Sequence, residues 1–396
     1  PAHHPLMQAL DSLKKNGVPV TTLSLGPLGE EGVREMLSVT LRRPQEEVQP
    51  LAGIVRAKTR GNPFFIRQFL KTLYIERCIF FEPVRGWSFD LKKIKDLQVT
   101  DNVVQFLVER LRDLPRHSLD LLSLGACLGN DFEVTLAVAV SDLSLEASLD
   151  ALKLLEDEGL ISYAQGRYRF VHDRIREAAY SFLTPKEKEY LHYRAGRMAL
   201  QEAGSEVSSD RLFFISDQLN LGRGLVNTPE EKRILAELNL RAGIRAKEAT
   251  AYPAAVNYLS NGLSLLEKDS WQRDYDLCFR LHLELMECRY LARDFPGAKE
   301  LFRIIRSRAA DPLDRSKAIK TMVILYTNMG SPREAVKLGF QGLAELGIRF
   351  PHRVSRKNVR RELQKIRAFL DDIPLQRILE LPRLTDPEQL AVHDLY

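Results

Sequence analysis

The sequence predicts a mainly α-helical protein in which helical bundles surround one small strand-containing domain and lead into an array of helical repeats. Apolar residues recur at helical spacing through most of the chain after Gly29. Two short β-favouring runs, Ile161 to Ala164 and Tyr168 to Val171, flank Gln165-Gly166-Arg167 and predict one hairpin. Three proline-led segments after residue 250 share one pattern and predict repeated helical hairpins.

Composition sets the broad class of protein. The 396 residues exceed what one core of ordinary size holds, so we expect two to four domains. Charged residues make up 28% but the net charge is only +5, which predicts a solvated surface without the strong positive field of many nucleic-acid-binding proteins. The 4 cysteines form no CxxC pair, so we expect buried free thiols in a reducing compartment and no zinc site.

Hydropathy and the first residues bear on location. No apolar run approaches the ~18 residues of a membrane span, and Pro1-Ala2-His3-His4-Pro5 lacks the order of a signal peptide. We therefore expect a cytoplasmic protein without a membrane span. Because the chain starts at proline rather than methionine, we also expect it to be a piece of something larger.

Residues 1–28 are predicted to be the tail of a truncated α/β nucleotide-binding domain. Val18 to Leu25 is rich in β-branched residues and predicts a strand. One strand is not stable alone, so its sheet would have to be completed outside this chain.

Residues 29–95 predict a helical domain. Glu30 to Leu41 and Val48 to Thr59 each carry one apolar stripe. In the run Gly61-Asn62-Pro63-Phe64-Phe65 the first two residues end one helix, and Pro63 suits the first turn of the next. The aromatic pair that follows is more typical of a core than of a ligand site. Glu82 to Asp90 predicts a turn or a short hairpin.

Residues 96–185 predict a winged helix. Helices are expected at Asn102 to Leu111, Ser118 to Leu128, Phe132 to Val140 and Ser144 to Glu158, and the hairpin supplies the wing. Many winged helices bind DNA through a basic recognition helix. The helix at that position in this sequence is acidic and would repel phosphate, with Glu146, Asp150, Lys153, Glu156, Asp157 and Glu158. Nucleic-acid binding by this domain is therefore not expected.

His172 and Asp173 stand where the second hairpin strand gives way to a helix. Polar side chains there can face whatever lies against the domain, and a helix N-terminus offers unpaired N–H groups and a positive dipole end to an anion. The alternative is structural, with Asp173 as the N-cap of the helix and His172 as a half-buried residue at the strand end. From the residues alone both interpretations stay open.

Residues 186–396 predict connecting helices, with Tyr190, Tyr193, Met198 and Leu200 packed inward, and then a tetratricopeptide-like array. Segments starting at Tyr252, Phe295 and Ser331 each hold a proline, a small alanine and then bulky residues, at an interval of roughly 36 to 43 residues. The usual role of such an array is to bind protein. Arg353 to Arg367 predicts a basic helix, either a solvated face or a nucleic-acid or membrane contact.

Taken together, the run Gly61-Asn62-Pro63-Phe64-Phe65, the winged helix ending in Phe170-Val171-His172-Asp173, and the repeats resemble the C-terminal half of the signal-transduction ATPases with numerous domains, the STAND branch of the AAA+ superfamily. The chain is most similar to the predicted-ATPase module of large bacterial proteins. In those proteins the module lies between a serine/threonine kinase and C-terminal GAF and histidine-kinase domains. The succession implied is an AAA+ lid, a winged helix and a repeat domain.

The resemblance implies a nucleotide-contacting set of Gly61, Asn62, Pro63, His172 and Asp173. The proline of a Gly-x-Pro motif in the lid would lie against adenine. The histidine of a Met-His-Asp-like motif would reach the β-phosphate of ADP, with Val171 in place of the methionine. ATP or ADP would be bound by the intact parent and not firmly by this chain, because the sequence holds no Gly-x-x-x-x-Gly-Lys-Ser/Thr and no strand ending in paired acids.

Two functions follow as expectations. The favoured one is the regulatory, partner-binding part of a signal-transduction ATPase, which closes over nucleotide held by an upstream domain and relays a signal to a kinase-type output domain. The alternative is an interaction scaffold or transcriptional regulator with a DNA-contacting winged helix. No catalytic or metal-ligating set is expected, since no Ser-His-Asp, Cys-His or paired-carboxylate group stands out.

Overall fold

Helices dominate the chain, which confirms the predicted fold class. The computed structural model describes residues 19, 21, 23, 25–96, 108, 111–204, 207–267, 269–349, 355–371 and 383–395. Two units are distinguished: a first unit of residues 1–204 and 221–225, and a second unit of residues 205–220 and 226–396. The domain boundaries predicted at residues 28, 95 and 185 stay predictions. No helix within the described ranges is both long and apolar enough to cross a bilayer.

The first unit begins with a helical bundle and a hairpin. The first helix has the predicted bounds, the second starts three residues earlier than predicted, and the turn expected between Glu82 and Asp90 is a two-stranded hairpin. The apolar stripes of these helices meet in one core with Val33, Leu37, Leu51, Ile66 and Leu73 at its centre. The elements are α1 Glu30–Leu41, α2 Gln45–Thr59, α3 Pro63–Ile75, β1 Ile79–Glu82, β2 Gly86–Phe89 and α4 Leu91–Asp96.

The strand predicted from Val18 to Leu25 is not formed by its described residues. Pro19, Thr21, Leu23 and Leu25 have no strand pairing, and the two leucine side chains are 85% and 90% exposed. β-Branched composition gives a strand only when a partner satisfies its backbone groups, and no partner lies within the described part of the chain. Residues 1–18 lie outside the described residues, and so does most of the helix predicted for Asn102 to Leu111.

From Arg116 the described residues of the first unit follow the order helix, strand, helix, helix, strand, strand, which is the order expected of the predicted winged helix; that assignment stays a prediction. The three strands form one antiparallel sheet in the order β3-β5-β4. Two further helices, α8 and α9, follow the sheet. The elements are α5 Arg116–Leu128, β3 Asp131–Glu133, α6 Val134–Val140, α7 Leu145–Asp157, β4 Ile161–Ala164, β5 Arg167–Phe170, α8 Asp173–Ser181 and α9 Pro185–Ala203.

Strand β3 corrects the sequence prediction, which placed Phe132 in a helix running to Val140. Phe132 instead pairs with Tyr168 across the sheet, and its ring fills the space beside Gly125 of α5. A Cβ on Gly125 would lie 2.6 Å from that ring, so only glycine permits this approach. Arg167 fixes the pairing from the other strand, because its guanidinium binds Asp131 at 2.9 Å and Glu133 at 2.6 Å.

Helix α9 corrects a second prediction. Tyr190 is 47% exposed rather than packed inward, whereas the buried face of the helix consists of His192, Ala195, Gly196 and Ala199. Because three of these four side chains are small, α5 and α6 can pack closely against α9. The larger residues of α9 lie beside that face, where Tyr193 is half-buried.

The second unit is a stack of helical hairpins, as predicted. Each hairpin packs on the next through α11, α12, α14, α15, α16 and α17, and α19 packs on the last pair. Helix α10, Ser209–Leu221, ends one residue into the first unit, and the 3₁₀ turn Arg223–Leu225 also belongs to the first unit. The other elements are α11 Pro229–Glu248, α12 Tyr252–Ser264, α13 Ser270–Arg273, α14 Tyr275–Leu291, α15 Phe295–Arg308, α16 Pro312–Asn328, α17 Pro332–Glu345, α18 Arg356–Asp371 and α19 Pro387–Leu395.

The alanines of the repeated segments lie at the contacts between paired helices. Ala255, Ala298 and Ala335 are 0%, 0% and 4% exposed, each near the start of the second helix of its hairpin. No larger side chain fits such a contact without moving the partner helix. The repeat pattern in the sequence is therefore a packing requirement.

The cysteines are buried free thiols, as predicted. Burial raises the pKa of Cys127 and of Cys288 to about 12 and that of Cys278 to about 11. A thiol is nucleophilic only as thiolate, so these three side chains have packing roles at neutral pH.

Replacing Ala298 by leucine should destabilise the second unit by about 1–3 kcal/mol, because the extra carbons have to be forced into a close-packed helix contact. The measurement is urea unfolding followed by Trp271 fluorescence in a Trp87→Phe background, since these are the 2 tryptophans of the chain. Ala344→Leu, on the exposed side of α17, is the matched control and should change stability by less than about 0.5 kcal/mol. Equal effects of the two substitutions would contradict the packing role.

Candidate functional site

The turn between α2 and α3 holds the first predicted site residues. Thr59 is buried; its hydroxyl donates to the Val55 carbonyl at 2.7 Å and accepts the Gly61 N–H at 3.3 Å. The Asn62 N–H donates to the Thr59 carbonyl at 3.2 Å. These bonds fix the turn before any ligand is present.

Gly61 is required at this turn for two physical reasons. Its φ is +74°, in the left-handed region that L side chains rarely adopt. A Cβ at Gly61 would also lie 2.3 Å from the carbonyl oxygen of Leu28, whose N–H donates to the Gly61 carbonyl at 2.8 Å. The segment entering α1 is therefore held against the turn, and the glycine of the Gly-x-Pro run has a structural explanation.

Asn62 and Pro63 begin α3 in the predicted way. The Asn62 side-chain oxygen accepts the N–H groups of Phe64 and Phe65 at 3.0 and 3.4 Å, and Pro63, which has no N–H, is the first helical residue. Pro63 is exposed. Because the N–H groups of Phe64 and Phe65 already donate to the Asn62 side chain, they are not available to an anion. This end of α3 therefore offers an apolar proline surface.

The N-cap of α8 is His172, which corrects the assignment of that role to Asp173. His172 Nδ1 accepts the Arg174 N–H at 3.1 Å, while Asp173 is the first helical residue and is exposed. An imidazole nitrogen that accepts a hydrogen bond carries no proton, so the proton of the neutral ring lies on Nε2. The cap thus fixes the tautomer and leaves Nε2–H as a donor.

The structure brings the two predicted motifs together inside the first unit. The Phe64 ring stacks on the His172 imidazole with centroids 4.8 Å apart and planes 23° apart, and the Phe65 ring lies 5.7 Å from it. Lys71 of α3 forms an ion pair of 2.8 Å with Glu158 at the end of α7. The Gly-x-Pro helix therefore meets the strand-to-helix transition through the stack, and a partly exposed ion pair joins the same helix to the end of α7.

This arrangement suits binding rather than catalysis. It presents an exposed proline, an aromatic ring and one imidazole donor, with the Asp173 carboxylate nearby in sequence. No group of three or more His, Cys, Asp or Glu side chains placed to hold a metal occurs in the described ranges. Contacts of this kind can hold one edge of a planar, anionic ligand whose charge is neutralised elsewhere.

Sequence reasoning missed the part played by Phe64, which was assigned to a core. Phe64 is half-buried and its ring covers His172, whereas its neighbour Phe65 is 8% exposed. A signal was present, because adjacent residues on a helix project about 100° apart, so Phe64 and Phe65 need not contact the same neighbours.

The comparisons with known proteins support a signalling context. No protein-family model matches the chain. It is 25% identical over 410 residues to hybrid signal transduction histidine kinase G of Dictyostelium discoideum, a match that covers 88% of this chain and 12% of that protein. The chain thus spans only a small part of the length of that relative.

A solved structure gives a more distant match. It is a STAND protein with a tetratricopeptide repeat sensor from Pyrococcus horikoshii, at 14% identity and a TM-score of 0.36, covering 83% of this chain and 55% of that one. Similarity at that level does not establish a shared fold.

Gly61→Ala should destabilise the first unit more than Gly86→Ala does. Both glycines have φ near +75°, at +74° and +76°, but a Cβ at Gly86 would meet nothing within 4 Å. Both substitutions therefore carry the same cost for the left-handed backbone. The additional loss of stability in Gly61→Ala, about 1–3 kcal/mol, measures the clash with Leu28. Chemical unfolding followed by far-UV circular dichroism provides the comparison. The contact has no such role if both variants lose the same stability.

The stack and the cap at His172 can be separated by substitution. His172→Asn keeps a good N-cap and should lose about 0.5–1.5 kcal/mol with the stack. His172→Ala should lose a further 0.5–2 kcal/mol, roughly, with the cap. In a double-mutant cycle with Phe64→Leu, the coupling should be about 0.5–1.5 kcal/mol for His172→Asn. Strict additivity in that cycle would show that the rings do not interact in solution.

Proposed function

We propose that the chain is the regulatory and partner-binding portion of a signal-transduction ATPase of the STAND type. In this proposal the α1–α4 bundle acts as the lid, the β3–β5 domain acts as the winged helix, and both close over ATP or ADP held by a P-loop domain outside this chain. The observation that carries it is the 4.8 Å stack of Phe64 on His172, which joins the two motif-bearing elements.

The nucleotide contacts are assigned by chemistry. Pro63 is exposed at the start of α3 and offers an apolar surface for adenine. The Nε2–H of His172 offers one hydrogen bond to a phosphate oxygen. Gly61 and Asn62 shape the turn. Asp173 lies at the helix N-terminus, where its negative charge interacts favourably with the positive end of the helix dipole. This chain alone lacks the cationic phosphate cradle, so we expect no ATPase activity and no firm nucleotide binding from it.

The second unit is proposed to bind the protein signal. Stacked helical hairpins present extended surfaces suited to protein ligands. A partner that favours one arrangement of lid and winged helix would shift the nucleotide-bound equilibrium by the difference in its affinity for the two arrangements. The output is proposed to be a kinase-type domain of a cytoplasmic protein, in keeping with the name of the Dictyostelium relative.

DNA contact through the recognition-helix position has no support in the structure. The outer face of α7 exposes Glu146, Asp150, Glu156 and Asp157 against one lysine. A phosphate backbone would be repelled by that face.

The test uses a longer protein that includes the nucleotide-binding domain. His172→Asn should speed ADP release by roughly ten- to a hundredfold and raise basal output, because a hydrogen bond to a charged group made only in the closed state is lost. Release of a fluorescent ADP analogue gives the rate. The chain of residues 1–396 alone is the negative control and should not bind ADP at micromolar concentration.

Phe64→Leu is the matched variant, because it removes the stack and keeps the His172 Nε2–H. Its ADP release should stay near the wild-type rate. Equal acceleration by the two substitutions would assign the effect to lost packing and would refute a direct histidine contact with ADP.

A further inference from the structure

The outer face of α7 combines negative charge with exposed leucines. Glu146, Asp150 and Asp157 are exposed and form no ion pair with any residue in the described ranges. Leu145 and Leu149 lie one turn apart on the same face and are 61% and 47% exposed. Two leucines exposed one turn apart form an apolar patch rather than a single scattered residue, and a core face does not carry unpaired carboxylates.

A groove of about 650 Å³ adjoins this face. Its apolar walls come from Leu149, Val134 and the neighbouring rings of Tyr163 and Tyr168, which lie 5.1 Å apart. Glu156 borders it and accepts the Tyr163 N–H at 3.0 Å. Arg167 is the one cation among the lining residues, and it is already bound by Asp131 and Glu133. Face and groove together form an apolar cleft with a negative rim.

Helix α18 shows the complementary chemistry. Its four large exposed aliphatic residues follow at intervals of four, three and four, which places them in one stripe: Val359, Leu363, Ile366 and Leu370. Its exposed cations are Arg356, Lys357, Arg360, Arg361, Lys365 and Arg367. The acid Glu362 is paired with Lys365 at 3.1 Å. The helix thus carries an apolar stripe with a basic surround.

We propose that the outer face of α7 and its groove bind a basic amphipathic helix of the kind that α18 represents. The aliphatic stripe would cover the exposed leucines and enter the groove, as amphipathic helices do in apolar grooves. The basic side chains would meet the free carboxylates at the rim and set the orientation of the helix. Charge complementarity favours this occupant over nucleic acid, and the apolar groove favours it over a merely cationic segment.

The test is a titration of a fluorescent peptide of residues 355–371 with the full chain, followed by anisotropy. Binding should be saturable and should weaken with salt. The Glu146→Gln, Asp150→Asn, Asp157→Asn chain should bind at least about tenfold more weakly, since each missing contact removes attraction at the rim. The matched control is Glu30→Gln, Glu31→Gln, Glu35→Gln on α1, which removes the same charge elsewhere and should bind as wild type does.

Two further measurements test whether binding of the peptide is specific. A chain with Leu363→Gln and Ile366→Gln keeps the α7 face unchanged and should bind the peptide at least as well as wild type. A peptide of the same composition, scrambled so that no stripe forms, should bind at least about tenfold more weakly. The proposal is overturned if neither the wild-type chain nor the Leu363→Gln, Ile366→Gln chain binds the peptide. It is also overturned if the α1 control loses as much binding as the α7 variant, or if the scrambled peptide binds as tightly as the original peptide.

Discussion

The stack of Phe64 on His172 joins the helix that carries the Gly-x-Pro run to the strand-to-helix transition of the first unit. It has two supports, because Asn62 caps α3 and so fixes Phe64, while His172 fixes itself by capping α8 through Nδ1. An imidazole is an unusual cap compared with Ser, Asp or Asn. The hydrogen bond from the Arg174 N–H to Nδ1 therefore sets the orientation of the ring, its tautomer and the start of the helix together. A ligand that binds Nε2 acts on all three.

Backbone constraints extend this contact toward the segment before α1. Leu28 and Gly61 exchange close backbone contacts, and Gly61 precedes Asn62 and Pro63 directly. A displacement of the entering segment would therefore reach the start of α3 within three residues. This continuity gives a physical route from the segment before α1 to the Phe64 ring, without a long chain of intermediates.

Sequence periodicity predicted the elements whose pattern is local and failed where distant residues decide. The bounds of α1 and the alanines at 255, 298 and 335 follow from spacing alone. Strand β3 does not, because its three residues are held by Arg167, more than thirty residues away, and otherwise resemble the start of α6. The meeting of α3 with His172 could be expected only from a resemblance, while the cap and the stack required the structure.

The account is tested most directly by the imidazole of His172. With 15N-labelled histidine, assigned by comparison with His172→Asn, the ring should show the Nε2–H tautomer at neutral pH and nuclear Overhauser effects to the ring protons of Phe64. That result would place the donor and the stack together in solution. An Nδ1–H tautomer would rule out the cap, and the absence of any contact with Phe64 would rule out the stack that joins the two motifs.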